Sequence, residues 1–132
     1  MSSANIDVVK QGYDAFLSGN IPAFIELMDS NVEWDHRGPD GVPFNKMYNG
    51  KEGVLEFFKT LDETLENTGF DIHEYFGEGD RVVALGHFGW KVKSTGKPFE
   101  SAFAMAYTVK NGKVTHWQPI FDRTAEVVAF QP

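Results

Sequence analysis

The sequence predicts an α+β fold: three N-terminal helices packed on a strongly curved, mostly antiparallel sheet, together forming a cone-shaped α+β barrel. Three observations carry this. Apolar residues recur at helical spacing in the first half of the chain. The second half alternates strand-like runs with turn signals, the pattern of helices segregated to one side of an antiparallel sheet. Aromatic residues make up 14% of the 132, with twelve Phe, four Tyr and three Trp. Each ring can bury roughly 150–250 Å². That is more bulky apolar surface than a tight core of this size needs, and lining a hollow is one way to use it.

The first helix places Ile6, Val9, Tyr13, Phe16 and Leu17 on one face, and Ser18-Gly19-Asn20 ends it. Asn20 then caps a short second helix with Pro22 in its first turn and Ala23, Phe24, Leu27 and Met28 as its apolar face. Asn31 to His36 reads as a strand. Arg37 to Asn49, with Gly38, Pro39, Gly41 and Pro43, reads as one long loop, a candidate pocket lid because connections of ~4–6 residues are usual. Gly50-Lys51 opens a third helix through about Glu66, with Val54, Leu55, Phe57, Phe58, Leu61 and Leu65. Strands follow at Asp71 to Phe76, Arg81 to Lys93, Phe99 to Lys110 and Val114 to Phe121. The turn at Asn111-Gly112 is the strongest hairpin signal. Arg123 to Phe130 forms a short terminal helix. Gly86 and Gly89 inside a strand point to sharp bending, which would close the sheet around a pocket.

No linker, repeat or low-complexity tract divides the sequence, so residues 1–132 are expected to form one domain. Nineteen acidic against twelve basic residues give a formal charge of −7 with no basic cluster, which disfavours nucleic acid and anionic membranes as partners. Zero Cys excludes disulfides, thiolate catalysis and Cys-based metal sites. The N-terminal residues lack the pattern of a signal peptide and no apolar run approaches 18 residues, so a cytoplasmic location is expected.

Several segments together resemble the SnoaL-like branch of the nuclear transport factor 2-like superfamily. They are Tyr13-Asp-Ala-Phe-Leu-Ser-Gly-Asn20, Asn31-Val-Glu-Trp-Asp35, Tyr48-Asn-Gly-Lys-Glu-Gly-Val-Leu-Glu-Phe-Phe58, Gly79-Asp-Arg-Val-Val83, Thr95-Gly-Lys-Pro-Phe99 and Asn111-Gly-Lys-Val114 leading to Phe121-Asp122. No piece is specific alone; the ordered set is. The superfamily holds isomerases, cyclases, epoxide hydrolases and non-catalytic binding modules, so function rests on the site. Trp34 stands where ketosteroid isomerases carry their base. Gly12, one residue before Tyr13, falls near their catalytic Tyr, and Ala104 or Met105 replaces their second Asp. In the limonene epoxide hydrolase pattern, Gly89 and His87 replace an Asp and an Arg, leaving Asp122. The resemblance to SnoaL-type cyclases implies Asp122 as a proton-transfer group.

Asp122 among Trp117, Ile120 and Phe121 would titrate high through desolvation, which suits acid–base work; alternatively it caps the terminal helix. His36 and His87 are candidate partners in catalysis, against the plainer reading of surface or satisfied core histidines. His73 is expected to be exposed, and Trp117 rather than His116 to point inward. Trp34, Phe44, Tyr48, Trp90, Phe103, Met105 and Trp117 are the candidate ligand-binding residues. No HExxH spacing is present, and neither metal nor other cofactor is expected. The implied function is binding of a hydrophobic small molecule in an internal pocket, with isomerase, cyclase or hydrolase chemistry on a carbonyl compound. The alternative is a non-catalytic ligand-binding or association module. A homodimer is expected through the outer sheet face, with Phe88 and Tyr107 as candidate contacts.

Overall fold

The computed structural model describes residues 2–132, with side chains from Ala4 onward. Helices α1 (Ser2–Leu17) and α2 (Ile21–Glu26) are separated by a turn in which Asn20 caps α2, its Oδ1 accepting from the Ala23 N–H at 3.2 Å. Strand β1 (Met28–Asp35) follows, then a loop, the short strand β2 (Met47–Asn49) and helix α3 (Gly50–Thr64). Strands β3 (Leu65–Glu78), β4 (Arg81–Val92), β5 (Pro98–Lys110) and β6 (Lys113–Ile120) precede helix α4 (Arg123–Phe130).

The six strands lie in the order β2-β1-β6-β5-β4-β3. The β1–β6 pair is parallel and the other four pairs are antiparallel. Helices cover the inner face, α3 over β1 and β2, α1 over β3 to β5, and α4 over β5 and β4. The sheet is curved but not closed. Two of its irregularities fall where the sequence suggested bending. β3 carries two register shifts, one between Asn67 and Gly69 beside Gly89, the other between Ile72 and Glu74 beside Gly86. A β-carbon at Gly86 would overlap the Asp71 carbonyl and the Phe103 ring, so the strands close on each other only with glycine there.

Two segments depart from expectation. Asn49 pairs with Glu33 and Tyr48 with Trp34, so the end of the expected long loop becomes β2. β3 starts six residues early because α3 passes into it without a connector, Leu65 being already extended at φ −127°, ψ 148°. Glu66-Asn-Thr-Gly69 looks like a turn, but pairing with β4 overrides it, and Asn67 Nδ2 donates to both Gly69 O and Gly89 O at 3.1 Å to stitch the bulge.

Alternation sets the two faces of the sheet. Phe88 and Tyr107, expected on the outside, are buried at 4% and 5% exposure and point inward, because even positions of β4 and odd positions of β5 share the covered face. The outer face instead carries Val83 opposite Ala106, Leu85 opposite Ala104, and Ile120 beside Ala104. His73 is exposed. Among the described residues no helix is long and apolar enough to cross a membrane.

Candidate functional site

The inner face of the sheet carries a row of rings in register across four strands. Tyr107 of β5 lies beside Trp117 of β6, Trp117 beside Trp34 of β1, and Trp34 beside Tyr48 of β2. The two indoles stack with centroids 4.0 Å apart and planes 16° apart. Two residues on from Trp34, on the same face, the His36 ring lies near-parallel to Trp117 at 5.7 Å. Above this floor, Phe24, Phe57 and Phe58 from α2 and α3 meet the indoles edge-on or tilted. What remains between is a cavity of about 70 Å³.

Of the residues expected at a ligand site, Trp34, Phe44, Trp90, Met105, Trp117 and His36 line this cavity. The others lie elsewhere. Tyr48 is buried behind the wall, its hydroxyl donating to Phe44 O at 2.9 Å and its ring against Phe57. Phe103 fills the bend of the sheet between Phe70 and Phe88. His87 occupies an odd position of β4, faces outward, and sits 3.5 Å from Glu100 Oε1.

Asp122 is exposed, not buried among Trp117 and Phe121, and its Oδ1 accepts from the Ala125 N–H at 3.0 Å as the N-cap of α4. Of the two readings open for it, the geometry is that of the cap. His36, His87 and Asp122 therefore do not converge.

The acid in the cavity wall is Glu126, one turn further along α4 and only 1% exposed. Its Oε1 accepts from Arg123 Nε at 3.0 Å and from Asn45 Nδ2 at 3.2 Å. Burial pushes its carboxyl above the ordinary range, with the Arg123 charge opposing. Because Oε1 takes both donors, a proton on this group belongs on Oε2.

Asn45 links the acid to the histidine. Its Nδ2 donates to Glu126 and also to Pro39 O at 3.1 Å, which fixes the amide and leaves Oδ1 to face His36 Nδ1 at 2.9 Å. The hydrogen on His36 therefore sits on Nδ1 and the lone pair on Nε2. Burial, helped by the Arg123 charge, lowers the His36 pKa to about 4, so the ring is neutral at pH 7. Asp35, on the other side of β1, is held below the usual carboxylate range by its two-pronged pairing with Arg37, both contacts 2.9 Å.

A second polar group enters from the α1 side. Tyr107 donates to the Tyr13 hydroxyl at 2.7 Å, and Tyr13 donates to the Met105 sulfur at 3.0 Å. Burial raises both phenols, so both remain neutral donors. A thioether is a weak acceptor. The Tyr13 proton is thus available to any better acceptor in the cavity.

The sequence reading missed Glu126, Asn45, Tyr13 and Tyr107. It matched the ketosteroid isomerase Tyr position to Gly12 and read that function as lost, one residue away from the Tyr13 side chain that lines the cavity. A signal for Glu126 was present: it shares a helical stripe with Ala129 and Phe130, and a lone acid on an apolar stripe is unusual.

A family profile described as SnoaL-like domain matches residues 9–117. Comparison with curated proteins gives no match. Among solved structures, an NTF2-like protein from Burkholderia xenovorans LB400 is similar over 98% of this chain and 97% of its own, with 25% identity and a TM-score of 0.89. TerC, crystallised with polyporic acid, shares 26% identity over 98% of this chain and 99% of its own, at a TM-score of 0.84. A Mesorhizobium loti protein assigned as a SnoaL-like polyketide cyclase matches in fold, covering 87% of this chain and 97% of its own at 21% identity and a TM-score of 0.71.

Proposed function

This chain belongs to the SnoaL-like domain family, and from that premise we propose that it is an isomerase- or cyclase-type enzyme that moves a carbon-bound proton on a hydrophobic carbonyl compound held in the aromatic cavity. The observation that carries the reading is Glu126: a carboxyl buried in a ring-lined cavity, its pKa raised by burial, with one oxygen anchored and the other without a hydrogen-bond partner among the described residues. The ionised Glu126 Oε2 takes a proton from the carbon next to the carbonyl. The C–H electron pair becomes the C=C bond of an enolate, and the negative charge moves to the carbonyl oxygen. Tyr13, turning from the Met105 sulfur, donates to that oxygen with Tyr107 donating behind it. Glu126 then returns the proton at a second carbon, or the enolate carbon bonds to a carbonyl carbon within the same molecule, whose C=O π pair becomes an alkoxide that takes the proton back from Glu126. Neutral His36, held by Asn45, offers Nε2 as an acceptor for a ligand hydroxyl.

Hydrogen–deuterium exchange tests this without knowledge of the natural substrate. Aromatic and aliphatic ketones incubated with the protein in D₂O should lose their α-proton NMR signals faster than in buffer, and Glu126→Gln should reduce the acceleration by roughly 10²-fold or more. Quenching of tryptophan fluorescence by the ketone, with no exchange above buffer, would instead assign a carrier. We also propose that two copies pair through the outer face around Leu85, Ala104 and Ile120, for which light scattering should give twice the 14.8 kDa chain mass.

A further inference from the structure

The cavity of about 70 Å³ is small beside the ~150 Å³ that holds a single benzene ring. A hydrophobic substrate of any length does not fit in it alone. On the helix side lies a second hollow, a groove of about 630 Å³ between the end of α1 and α3. Phe16, Phe58, Leu61, Leu65 and Trp90 line both spaces, so one layer of side chains is all that separates them. Three of the five, Phe16, Phe58 and Leu61, are half-buried side chains of helices rather than sheet core. Their rotation would join the two spaces.

The groove sets exposed apolar side chains beside the polar Lys59, Asp62 and Asn67. Leu17 and Leu55, 54% and 46% exposed, form its outer walls. Leu17 belongs by spacing to the apolar stripe of α1, yet in the fold it covers no core. The groups able to address a carbonyl, the hydroxyl pair, Glu126 and His36, belong to the inner cavity, and those at the groove, Lys59, Asp62 and Asn67, stand among Leu17, Leu55 and Ile21.

We infer that the groove is a second subsite that takes the uncharged hydrocarbon tail of the same ligand, whose carbonyl head sits in the inner cavity. The substrate class is then an elongated, single-headed carbonyl compound with an aliphatic or aryl-aliphatic tail. The inference rests on the proposed function and deepens it. The wall of five side chains that the two spaces share, and the small size of the inner one, select a ligand tail over a protein segment as the occupant.

A series of methyl n-alkyl ketones of increasing chain length tests it, with dissociation constants from tryptophan fluorescence in the wild type and in Leu17→Asp/Leu55→Asp. Both positions are exposed, and far-UV circular dichroism confirms that the variant is folded. In the wild type, affinity should rise by up to about fourfold for each methylene that reaches the groove. In the variant this increment should vanish while the shortest ketones bind as before. Binding of short ketones with no gain from longer tails, or a gain that survives in the variant, overturns the subsite and leaves the proposed function standing. Failure of every ketone to bind overturns both.

Discussion

The Glu126 carboxyl and the Asn45 amide, 81 residues apart in the chain, meet at 3.2 Å. This contact ties the loop between β1 and β2 to the terminal helix. It also connects the His36 nitrogen that Asn45 holds to the acid, so three segments of the chain set the protonation of one site. A buried carboxyl on a short helix would cost stability if left alone. Arg123 and Asn45 offset that cost through Oε1 and leave Oε2 unpartnered among the described residues.

Gly38 guards this arrangement. A β-carbon there would overlap the Arg123 guanidinium and lie 2.9 Å from Asn45 Nδ2. Both obstructing groups are ends of flexible side chains, so Gly38→Ala should fold with a loss of no more than about 1–3 kcal/mol from weakened hydrogen bonds to a buried acid. Displacing Arg123 removes the charge that holds Glu126 down, so the alkaline-going midpoint of the exchange rate should move to higher pH. A pH–rate profile superimposable on wild type would show that the clash is relieved without touching Glu126.

Asp122 and Glu126 separate cap from acid. Asp122→Ala should lower stability by about 1 kcal/mol, since the Ala125 N–H loses its acceptor, with exchange activity retained. Asp122→Asn, which can still cap, should match wild type in both respects. Thermal denaturation run beside the ketone exchange assay decides it; lost activity in Asp122→Asn would return the acid role to that residue.

Much of the site was legible in the sequence, and its gaps have physical causes. Strand alternation turned Trp117 rather than His116 inward, and hairpin signals located β4 to β6 within a residue or two. Gly86 and Gly89 announced the bends. Periodicity, however, does not say which of several buried positions faces a hollow: Phe103 and Tyr48 are as buried as Trp34 but pack against neighbouring rings. The acid was sought at Asp122 because the resemblance to SnoaL-type cyclases implies a proton-transfer Asp near the end of the last strand. In an eight-residue helix one turn separates cap from buried face, and only the packing of α4 on the sheet makes Glu126 the inward one. Asn45 lies in a loop whose path no local pattern dictates.

The hydroxyl pair makes a prediction of its own. Tyr13→Phe leaves the Tyr107 hydroxyl buried without its acceptor, at a cost of about 1–3 kcal/mol. The double variant Tyr13→Phe/Tyr107→Phe removes both partners and should be less destabilised than the two single losses summed. If Tyr13 binds the carbonyl, infrared spectra of a bound ketone should show a lowered C=O stretching frequency in the wild type that returns toward the free value in Tyr13→Phe. An unchanged carbonyl band would place the ligand oxygen elsewhere.

Stability against pH should carry two slopes of opposite sign from neighbouring groups. His36 is depressed to about 4 from its ordinary 6.5, so between those values the unfolded chain binds a proton that the folded chain refuses. Folding is therefore weakened as pH falls through that window, by about 3 kcal/mol in all. Glu126 is raised, so the folded chain holds a proton after the unfolded one has released it, and its contribution is lost as pH rises from the ordinary carboxyl range through the folded value. Asp35, held low by Arg37, acts only below the usual Asp range and does not overlap the histidine window. Urea unfolding across pH 4 to 8 should show the acid-side slope flattened in His36→Gln, which keeps a donor for Asn45. In Glu126→Gln stability at pH 7 should equal or exceed wild type, with the loss on the alkaline side removed. A Glu126→Gln variant that is less stable than wild type at pH 7 would mean that the ion pair with Arg123 outweighs burial, and that the carboxylate is a structural anchor rather than a poised acid.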